Sequence, residues 1–247
     1  MKEVAAWVAN ASRVAFLTGA GISTESGIPD FRGPNGVWTK NPEAEKMSDI
    51  SWYMNHREIR VKSWAARLVH PVWNARANGG HEAITALERL GRMHSLATQN
   101  IDGLHQLAGS SPDLVIELHG TMREVMCMSC GDRLPMEQAL DRVRAGEDDP
   151  PCAKCRGILK SATVSFGQSL DPDVIERAHD DASNCDVYFA VGTSLGVYPA
   201  AALPEVALTN GARLVIVNEQ PTPYDGLAHA VLRDKASSVL SDLVNEL

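Results

Sequence analysis

The residues with the clearest chemical potential lie in a glycine-rich segment, residues 18–33. This segment follows an apolar run at residues 14–17 that is typical of a short buried strand. A strand that ends in a Gly-x-Gly loop, here with Gly19 and Gly21, is how dinucleotide-binding folds bring bare backbone amides to a pyrophosphate. In place of a dehydrogenase's third glycine, the segment continues to Gly27 and then to a carboxylate, an aromatic ring and a fixed cation: Asp30, Phe31 and Arg32. This arrangement indicates chemistry on the dinucleotide itself rather than hydride transfer to it.

Four of the five cysteines form two Cys-x-x-Cys pairs, separated by 21 residues, which is close to zinc-ribbon spacing. They are Cys127, Cys130, Cys152 and Cys155. Four thiolates in two such pairs predict a closed tetrahedral zinc site, which is structural rather than catalytic. The alternatives are two disulfides or a thioredoxin-like redox pair, but the pairs lie in an insertion and not where a helix begins after a strand. Cys185 precedes an apolar strand and is expected to be a small buried hydrophobe.

Other polar motifs each follow a short apolar run. In chain order they are Thr98-Gln99-Asn100-Ile101-Asp102, His119-Gly120, Gly192-Thr193-Ser194 and Asn218-Glu219. Because the carboxyl ends of parallel strands share one edge of a sheet, where open α/β sheets bind ligands, we expect these motifs to converge on one site. Asn218 and Glu219 are placed to reach a ribose hydroxyl, with a simple helix cap as the alternative.

Two of these motifs carry side chains suited to catalysis or to ligand orientation. His119 ends a strand directly, and the pKa of an imidazole suits a general base; a structural histidine is the alternative. Asp102, with backbone groups, is suited to hold a carboxamide such as that of nicotinamide, whereas an Asx cap of a helix beginning near Gly103 is the alternative. The other seven histidines are assigned no chemistry: His56, His70, His81, His94, His105, His179 and His229.

Strand and helix patterns alternate around these motifs. Strand-like apolar runs occur at residues 14–17, 94–97, 115–118, 162–166, 187–191 and 214–217. Helical periodicity falls between most of them, at residues 82–90, 172–182, 200–208 and 237–247. The alternation predicts an α/β fold with a Rossmann-like parallel sheet and helices on both faces.

Two stretches interrupt the alternation. Residues 34–80 are rich in Trp, Asn, His and charge, with a helix predicted over 57–68, and residues 123–159 hold the cysteines, with a helix predicted over 135–144. We therefore expect a helical insertion and a small zinc-ribbon domain within a Rossmann-like domain. That domain would comprise residues 1–33, 81–122 and 160–247.

The bulk composition limits the partners and the location. With 247 residues the chain can bury one substantial core, and its net charge of -8 argues against nucleic-acid binding. The sequence contains no apolar run of the roughly 18 residues that a membrane span requires, and residues 1–7 contain no apolar signal core. Cysteine usage of this kind fits a reducing compartment, so the cytoplasm is the expected location.

Together these motifs resemble the sirtuin family of NAD-dependent protein lysine deacylases, as a bacterial member. The resemblance rests on the segment from Gly19 to Arg32, the motifs at 98–102, 119–120 and 192–194, the cysteine pairs, and the run ending at Asn218. These motifs stand in the family's order, and the match is clearest over residues 14–218.

The resemblance implies that NAD, as co-substrate, lies across the strand ends, with one structural Zn²⁺ elsewhere. The implied cofactor contacts are Gly19, Ala20, Gly21, Thr24, Asp30, Phe31, Arg32, Gln99, Ile101, Asp102, Gly192, Thr193, Ser194, Asn218 and Glu219. Phe31 would cover the nicotinamide and shield the ribose from water, and Asp102 with Ile101 would form the carboxamide pocket. Asn100 would help to bind the nicotinamide ribose.

The resemblance also implies a reaction and a peptide substrate. The acyl oxygen of a modified lysine attacks the ribose as nicotinamide leaves, and His119 then accepts a proton from a ribose hydroxyl. Free lysine, nicotinamide and O-acyl-ADP-ribose are the implied products. Val164, Phe166 and Gly167 match the family's substrate strand, which pairs with an acyl-lysine peptide by β-augmentation.

The sequence departs from the family near that strand. The family often has Arg-Pro before it and Gly-Glu after the Phe, whereas this chain has Lys160-Ser161 and Gly167-Gln168. Bacterial relatives that remove succinyl groups carry Tyr-x-x-Arg in the helical insertion, where this chain has Trp64 and Arg67. Arg67 would bias the site toward acidic acyl groups; a solvated helix residue is the alternative.

Three other functions compete with a deacylase. An NAD glycohydrolase or a mono-ADP-ribosyltransferase would use the same cleavage of NAD, but it would not need a peptide-pairing strand. A catalytically silent NAD-binding regulator would not need His119. A dehydrogenase is excluded because no acidic residue closes a second strand about 20 residues after the glycine loop.

Overall fold

The computed structural model describes residues 1–30, 33, 36–40 and 42–247. Its strands are β1 (Val14–Thr18), β2 (Met93–Thr98), β3 (Val115–Glu117), β4 (Gly120–Cys127), β5 (Arg133–Pro135), β6 (Leu159–Thr163), β7 (Val187–Val191), β8 (Arg213–Val217) and β9 (Ala230–Leu232). Its α-helices are α1 (Lys2–Asn10), α2 (Val37–Lys40), α3 (Ile50–Asn55), α4 (Arg57–Leu68), α5 (Gly79–Arg89), α6 (Leu104–Ala108), α7 (Met136–Arg144), α8 (Pro172–Ser183), α9 (Leu203–Thr209) and α10 (Ala236–Asn245).

The larger sheet is parallel and has the strand order β3-β2-β1-β7-β8-β9. Every residue of β1 and β7 is buried, as strands covered by helices on both faces require. Phe16 and Phe189 stack in the core on one face, with ring centroids 5.0 Å apart, whereas Leu17 and Ala190 face the other core. The predicted Rossmann-like sheet is confirmed, and its strand order reverses between β1 and β7.

The helices cover both faces of this sheet. On the face of Phe16, α5 buries Ile84 and α10 buries Leu240 in the same core. On the opposite face, Ala182 of α8 and Leu203 of α9 belong to the second core. Six helices expected from the sequence are present, as α4, α5, α7, α8, α9 and α10. The expected ranges were 57–68, 82–90, 135–144, 172–182, 200–208 and 237–247, and the start of the range 200–208 is a 3₁₀ turn that precedes α9.

The smaller sheet is antiparallel, in the order β5-β4-β6. The strand expected at residues 162–166 is wrong in its bounds and in its sheet, because β6 ends at Thr163 and pairs with β4. The chain turns at Ser165–Gln168, where Gly167 has a left-handed φ of 84° and the Gln168 amide donates to the Ser165 carbonyl. This turn ends the extended run that the apolar residues suggested.

The helical insertion and the cysteine-bearing segment share one core. Trp64 of α4 is fully buried in a cluster with Cys127, Cys152 and Leu140. The Arg60 guanidinium also bonds the Asp149 carboxylate at 2.9 Å, and both side chains are largely buried. The two insertions therefore support each other rather than packing separately on the large sheet.

Several elements were not expected from the sequence. The strands β5 and β9 have only three residues each, too short to show a periodicity, and β4 alternates poorly between buried and exposed positions. The N-terminal helix α1 was also missed, although it buries Val4 and Val8. Among the described residues, no helix has the length and apolar character needed to cross a bilayer.

Candidate active site

Two glycine loops meet at the edge of the sheet, one after β1 and one after β7. The Gly21 amide donates to the Gly192 carbonyl at 2.8 Å, and a Cβ on Gly21 would lie 2.7 Å from the Gly192 Cα. Gly192 has a φ of 60°, and a Cβ there would lie 2.4 Å from the Ile22 amide nitrogen. A Cβ on Gly19 would also lie 2.8 Å from the Gly192 carbonyl oxygen. Both loops therefore require glycine so that their backbones can touch.

A cavity of about 520 Å³ opens beside the first loop. It is lined by Thr24, Gly27, Ile28, Pro29, Asp30, Glu219 and Gln220. The Thr24 hydroxyl donates to the Gly21 carbonyl, and the Asp30 carboxylate accepts from the Gly33 amide. Asn218 and Glu219 end β8 at the same sheet edge, and the Asn218 side chain donates to the Gln220 carbonyl at 2.7 Å. Residues predicted from two separate strand ends, those of β1 and β8, thus lie around one cavity or beside it.

Asp102 is buried and its acceptors are engaged from two directions. The Ser23 hydroxyl donates to Oδ2 at 2.8 Å, and the Leu104 amide donates to Oδ1 at 2.9 Å. The contact with the Leu104 amide is the Asx-type cap that the sequence offered as the alternative role of Asp102. The preceding residue, Ile101, is held by the Met122 amide, which donates to its carbonyl at 2.9 Å. The loop that carries Asp102 is therefore fixed by both side-chain and backbone contacts.

Asn100 lies buried between the glycine loop and Ser23. Its side-chain nitrogen donates to the Gly19 carbonyl at 3.0 Å and to the Ser23 hydroxyl at 3.1 Å. Because a carbonyl can only accept, the amide nitrogen must face Gly19. Both amide hydrogens are used within the chain, so the side chain can offer a bound ligand only its oxygen, which is an acceptor.

His119 is mostly buried and follows β3. Its Nδ1 lies 2.9 Å from the carbonyl oxygen of Gln99, so Nδ1 carries the hydrogen and Nε2 is the basic atom of the neutral ring. Burial lowers the pKa of His119 below its ordinary value, and the bond to the Gln99 carbonyl partly offsets this. Gln99 in turn donates its side-chain amide to the Thr193 hydroxyl at 2.9 Å, which ties the imidazole to the second glycine loop. Ser194, next in that loop, is exposed.

His81, to which the sequence assigned no chemistry, belongs to this site. Its Nδ1 accepts from the Asn78 amide at 3.3 Å, so the hydrogen lies on Nε2, 3.4 Å from the Ser23 hydroxyl that reaches Asp102. Burial lowers the pKa of His81 to about 4, although Asp102 opposes the shift. His81 is therefore neutral at physiological pH. Asn78 followed three residues later by His81 is a helix-start pattern, but it does not reveal the contact with Ser23, 58 residues away.

The predicted substrate segment extends beyond β6 beside His119. The Val164 amide donates to the His119 carbonyl at 2.8 Å. Phe166 forms a parallel bridge with Asp49, in which its amide donates to the Ser48 carbonyl at 2.8 Å. Phe166 is 40% exposed, so its apolar ring faces the surface. Gly167 occupies the left-handed position of the turn that follows.

A cationic pair lies behind this segment. Arg67 donates from Nη2 to the Ser161 hydroxyl at 3.0 Å, whereas its enclosed Nη1 has no hydrogen-bond partner among the residues described. Lys160 is buried, and its ammonium donates to the carbonyls of Ser161 and Thr163. Burial, with a smaller contribution from the Arg67 charge, lowers the pKa of Lys160 to about 7. Arg67 is thus not a solvated helix residue, since its Nη1 is enclosed and its Nη2 reaches Ser161 of β6.

The four paired cysteines form one cluster, whose sulfur atoms all lie within 4.8 Å of one another. The Sγ atoms of Cys127 and Cys155 are 3.4 Å apart, and those of Cys130 and Cys152 are 3.8 Å apart. Tetrahedral zinc with Zn–S bonds of about 2.3 Å separates its sulfurs by about 3.8 Å. The Ser129 amide also points to the Cys127 sulfur at 3.4 Å, which favours a thiolate. The cluster therefore fits one structural zinc ion, as predicted.

Two predicted cofactor contacts, Phe31 and Arg32, lie outside the described residues.

The fold and this edge define a dinucleotide-binding protein of the Rossmann type with a four-cysteine insertion. The chain belongs to the Sir2 family, whose model matches residues 19–199. It is 53% identical over 234 residues to a Streptomyces coelicolor protein named NAD-dependent protein deacetylase 2, which covers 95% of this chain and 97% of the relative.

Solved structures of the family match nearly the whole chain. One, described as Sir2 with a p53 peptide and NAD⁺, has a TM-score of 0.89 and 35% identity, and the match covers 100% of this chain and 98% of that chain. Another, Sir2Tm bound to a propionylated peptide, has a TM-score of 0.89 and 33% identity, with the same coverage of both chains.

We expect Gly192→Ala to weaken NAD binding by more than about tenfold and to destabilise the fold by about 2–4 kcal/mol, because the added Cβ would overlap the Ile22 amide. Calorimetry with NAD and urea unfolding measure the two effects. Gly211→Ala is the matched control, since Gly211 also has a positive φ, 89°, but no atom within 4 Å of an added Cβ. Equal NAD affinity in the two variants would contradict a role for the loop contact.

Proposed function

We propose that this protein is an NAD-dependent protein lysine deacylase that releases nicotinamide, O-acyl-ADP-ribose and free lysine. The observation that carries the proposal is the placement of His119. Its Nδ1–H is bonded to the Gln99 carbonyl, so that Nε2 is the basic atom, beside glycine loops suited to a pyrophosphate and beside the Val164 segment suited to a peptide. Membership of the Sir2 family supports the same activity.

In this proposal each residue has a role in the reaction. NAD supplies the ribose carbon that accepts the acyl oxygen, and nicotinamide is the leaving group. The loops at Gly19–Gly21 and at Thr193 and Ser194 lie against the phosphates, and the Asp102 loop receives the carboxamide. Asn100 offers its side-chain oxygen to a ribose hydroxyl. His119 removes a proton at Nε2 from a ribose hydroxyl, so that this oxygen can attack the acyl carbon. The bond from that carbon to the lysine nitrogen then breaks, the amine leaves with the proton, and one water molecule adds to give O-acyl-ADP-ribose.

The cysteine cluster has a supporting role in this proposal. Zinc bound by four thiolates has no open position for a substrate, so the ion would only hold the ribbon together. Four reduced thiols also favour a cytoplasmic location, because disulfides form in oxidising compartments.

The test is release of nicotinamide from NAD with and without an acetyl-lysine peptide. A deacylase releases nicotinamide only when the peptide is present, in equal amounts with free lysine, and His119→Ala lowers the rate by at least about a hundredfold. Peptide-independent release would instead support the alternative, an NAD glycohydrolase or a mono-ADP-ribosyltransferase. If His119→Ala left the rate unchanged, His119 would not be the base.

The pH profile should reflect the protonation of His119. The neutral ring is the active base and burial lowers its pKa below the ordinary value of 6.5, so kcat/KM should fall as the pH is lowered, with the midpoint below pH 6.5. Lys160, with a pKa of about 7, titrates in the same range. Lys160→Arg keeps a charge there at every pH, so an acid limb that persists in this variant belongs to His119. An acid midpoint above 6.5 in Lys160→Arg would contradict the assignment.

Arg67 is proposed to favour acidic acyl groups. Its enclosed Nη1 has no hydrogen-bond partner in the described part of the chain, and its Nη2 already contacts Ser161 of β6, the strand that leads into the proposed substrate segment. We expect Arg67→Met to lower the ratio of desuccinylation to deacetylation by about tenfold, the loss of one charged hydrogen bond. Lys62→Met, on the exposed side of the same helix, is the control. An unchanged ratio in Arg67→Met would remove this proposal and leave the deacylase intact.

A further inference from the structure

Arg123 makes an unusual pair of contacts in the middle of β4. Its Nε and Nη2 both donate to the backbone carbonyl of Asp102, at 3.0 and 2.9 Å. The guanidinium also lies over the Trp73 ring, 5.6 Å from its centroid. Within the described part of the chain, no carboxylate lies in ion-pair range of this arginine. A guanidinium that donates twice to one backbone carbonyl, and to no carboxylate, restricts the orientation of that peptide group.

The carbonyl that it holds belongs to the peptide plane between Asp102 and Gly103. The next residue, Gly103, has a left-handed φ of 72°, and a Cβ there would lie 3.2 Å from the Arg123 Nε. The peptide plane between Asp102 and Gly103 is therefore fixed on one side by Arg123. On the other side, the Asp102 carboxylate is fixed by Ser23 and Leu104. Without Arg123, the carboxylate contacts remain but the peptide plane loses both of its charged donors.

Arg123 also lies where three parts of the molecule meet. β4 starts at Gly120, next to His119, and ends at Cys127 of the cysteine cluster. Trp73 comes from the helical insertion, and its indole nitrogen donates to the Arg67 carbonyl at 2.5 Å. One guanidinium thus connects the ribbon strand, the helical insertion and the Asp102 loop.

We propose that Arg123 is a positioning residue, which holds the Asp102 loop in the conformation that receives the nicotinamide group. This inference rests on the proposed function, in which Asp102 contacts the carboxamide. Arg123 acts through the Asp102 backbone and does not touch the substrate. Its loss should therefore affect NAD and nicotinamide but spare the peptide.

The test compares Arg123→Met with Arg123→Lys. Arg123→Met keeps the aliphatic stem and removes both donors, so we expect KM for NAD and the inhibition constant of nicotinamide to rise about tenfold. KM for the acetyl-lysine peptide should change less than about twofold. Arg123→Lys keeps one charged donor and should restore part of the loss. Arg133→Met is the matched control, because Arg133 lies in the same small sheet but forms an exposed ion pair with Glu124.

Calorimetric NAD binding, thermal melting and zinc content of each variant distinguish positioning from general damage. If NAD and nicotinamide constants stay within twofold of the unsubstituted protein in Arg123→Met, the inference is wrong. It is also wrong if all constants rise together and Arg123→Lys restores none of them. Should the unsubstituted protein release no nicotinamide with any acyl-lysine peptide, the proposed function fails. NAD binding by calorimetry still decides the role of Arg123, since it needs no turnover.

Discussion

The backbone contact between the two glycine loops is the constraint on which the rest of the site depends. β1 and β7 are neighbours where the strand order reverses, and the loops after them touch at Gly21 and Gly192 without any side chain between. Because of that contact, the backbones that follow two strands meet at one edge of the sheet. The second loop carries Thr193, which binds the Gln99 side chain, and the Gln99 carbonyl orients His119. The orientation of His119 is thus linked through Gln99 to the second glycine loop.

The protonated nitrogens of two histidines at this edge are fixed, because each ring bonds a backbone group that can only donate or only accept a hydrogen bond. The Gln99 carbonyl can only accept, and the Asn78 amide can only donate, so the protonated nitrogens of His119 and His81 are fixed. Burial keeps His81 neutral, with its pKa at about 4, so it adds no positive charge beside Asp102. The crevice beside Asp102 can therefore receive a cationic ring without repulsion from His81. A polar network that is satisfied in this way is rigid before any ligand binds.

The sequence predicted the residues whose roles follow from a local pattern, and it missed those whose roles come from contacts between distant parts of the chain. Gly19 and Gly21 were identifiable because glycine after a buried strand has a local meaning, and the cysteine pairs because metal ligands have fixed spacing. His81 and Arg123 were missed because their roles come from contacts across the fold, with Ser23 and with the Asp102 backbone. The strand expected at residues 162–166 failed for the opposite reason, since a local turn ended an apolar run.

The proposed peptide edge differs physically from the proposed NAD edge, because nearby side chains of the same segment already bond part of its backbone. The Ser165 amide donates to the Gln168 side chain at 3.0 Å, and Lys160 donates to the carbonyls of Ser161 and Thr163. A peptide that adds to this edge at Ser165 must displace the Gln168 amide, so it gains only the difference between two hydrogen bonds. The glycine loops carry no side chain to displace. In the proposed function, binding at the NAD edge therefore depends on a preformed backbone, whereas binding at the peptide edge depends on an exchange of partners.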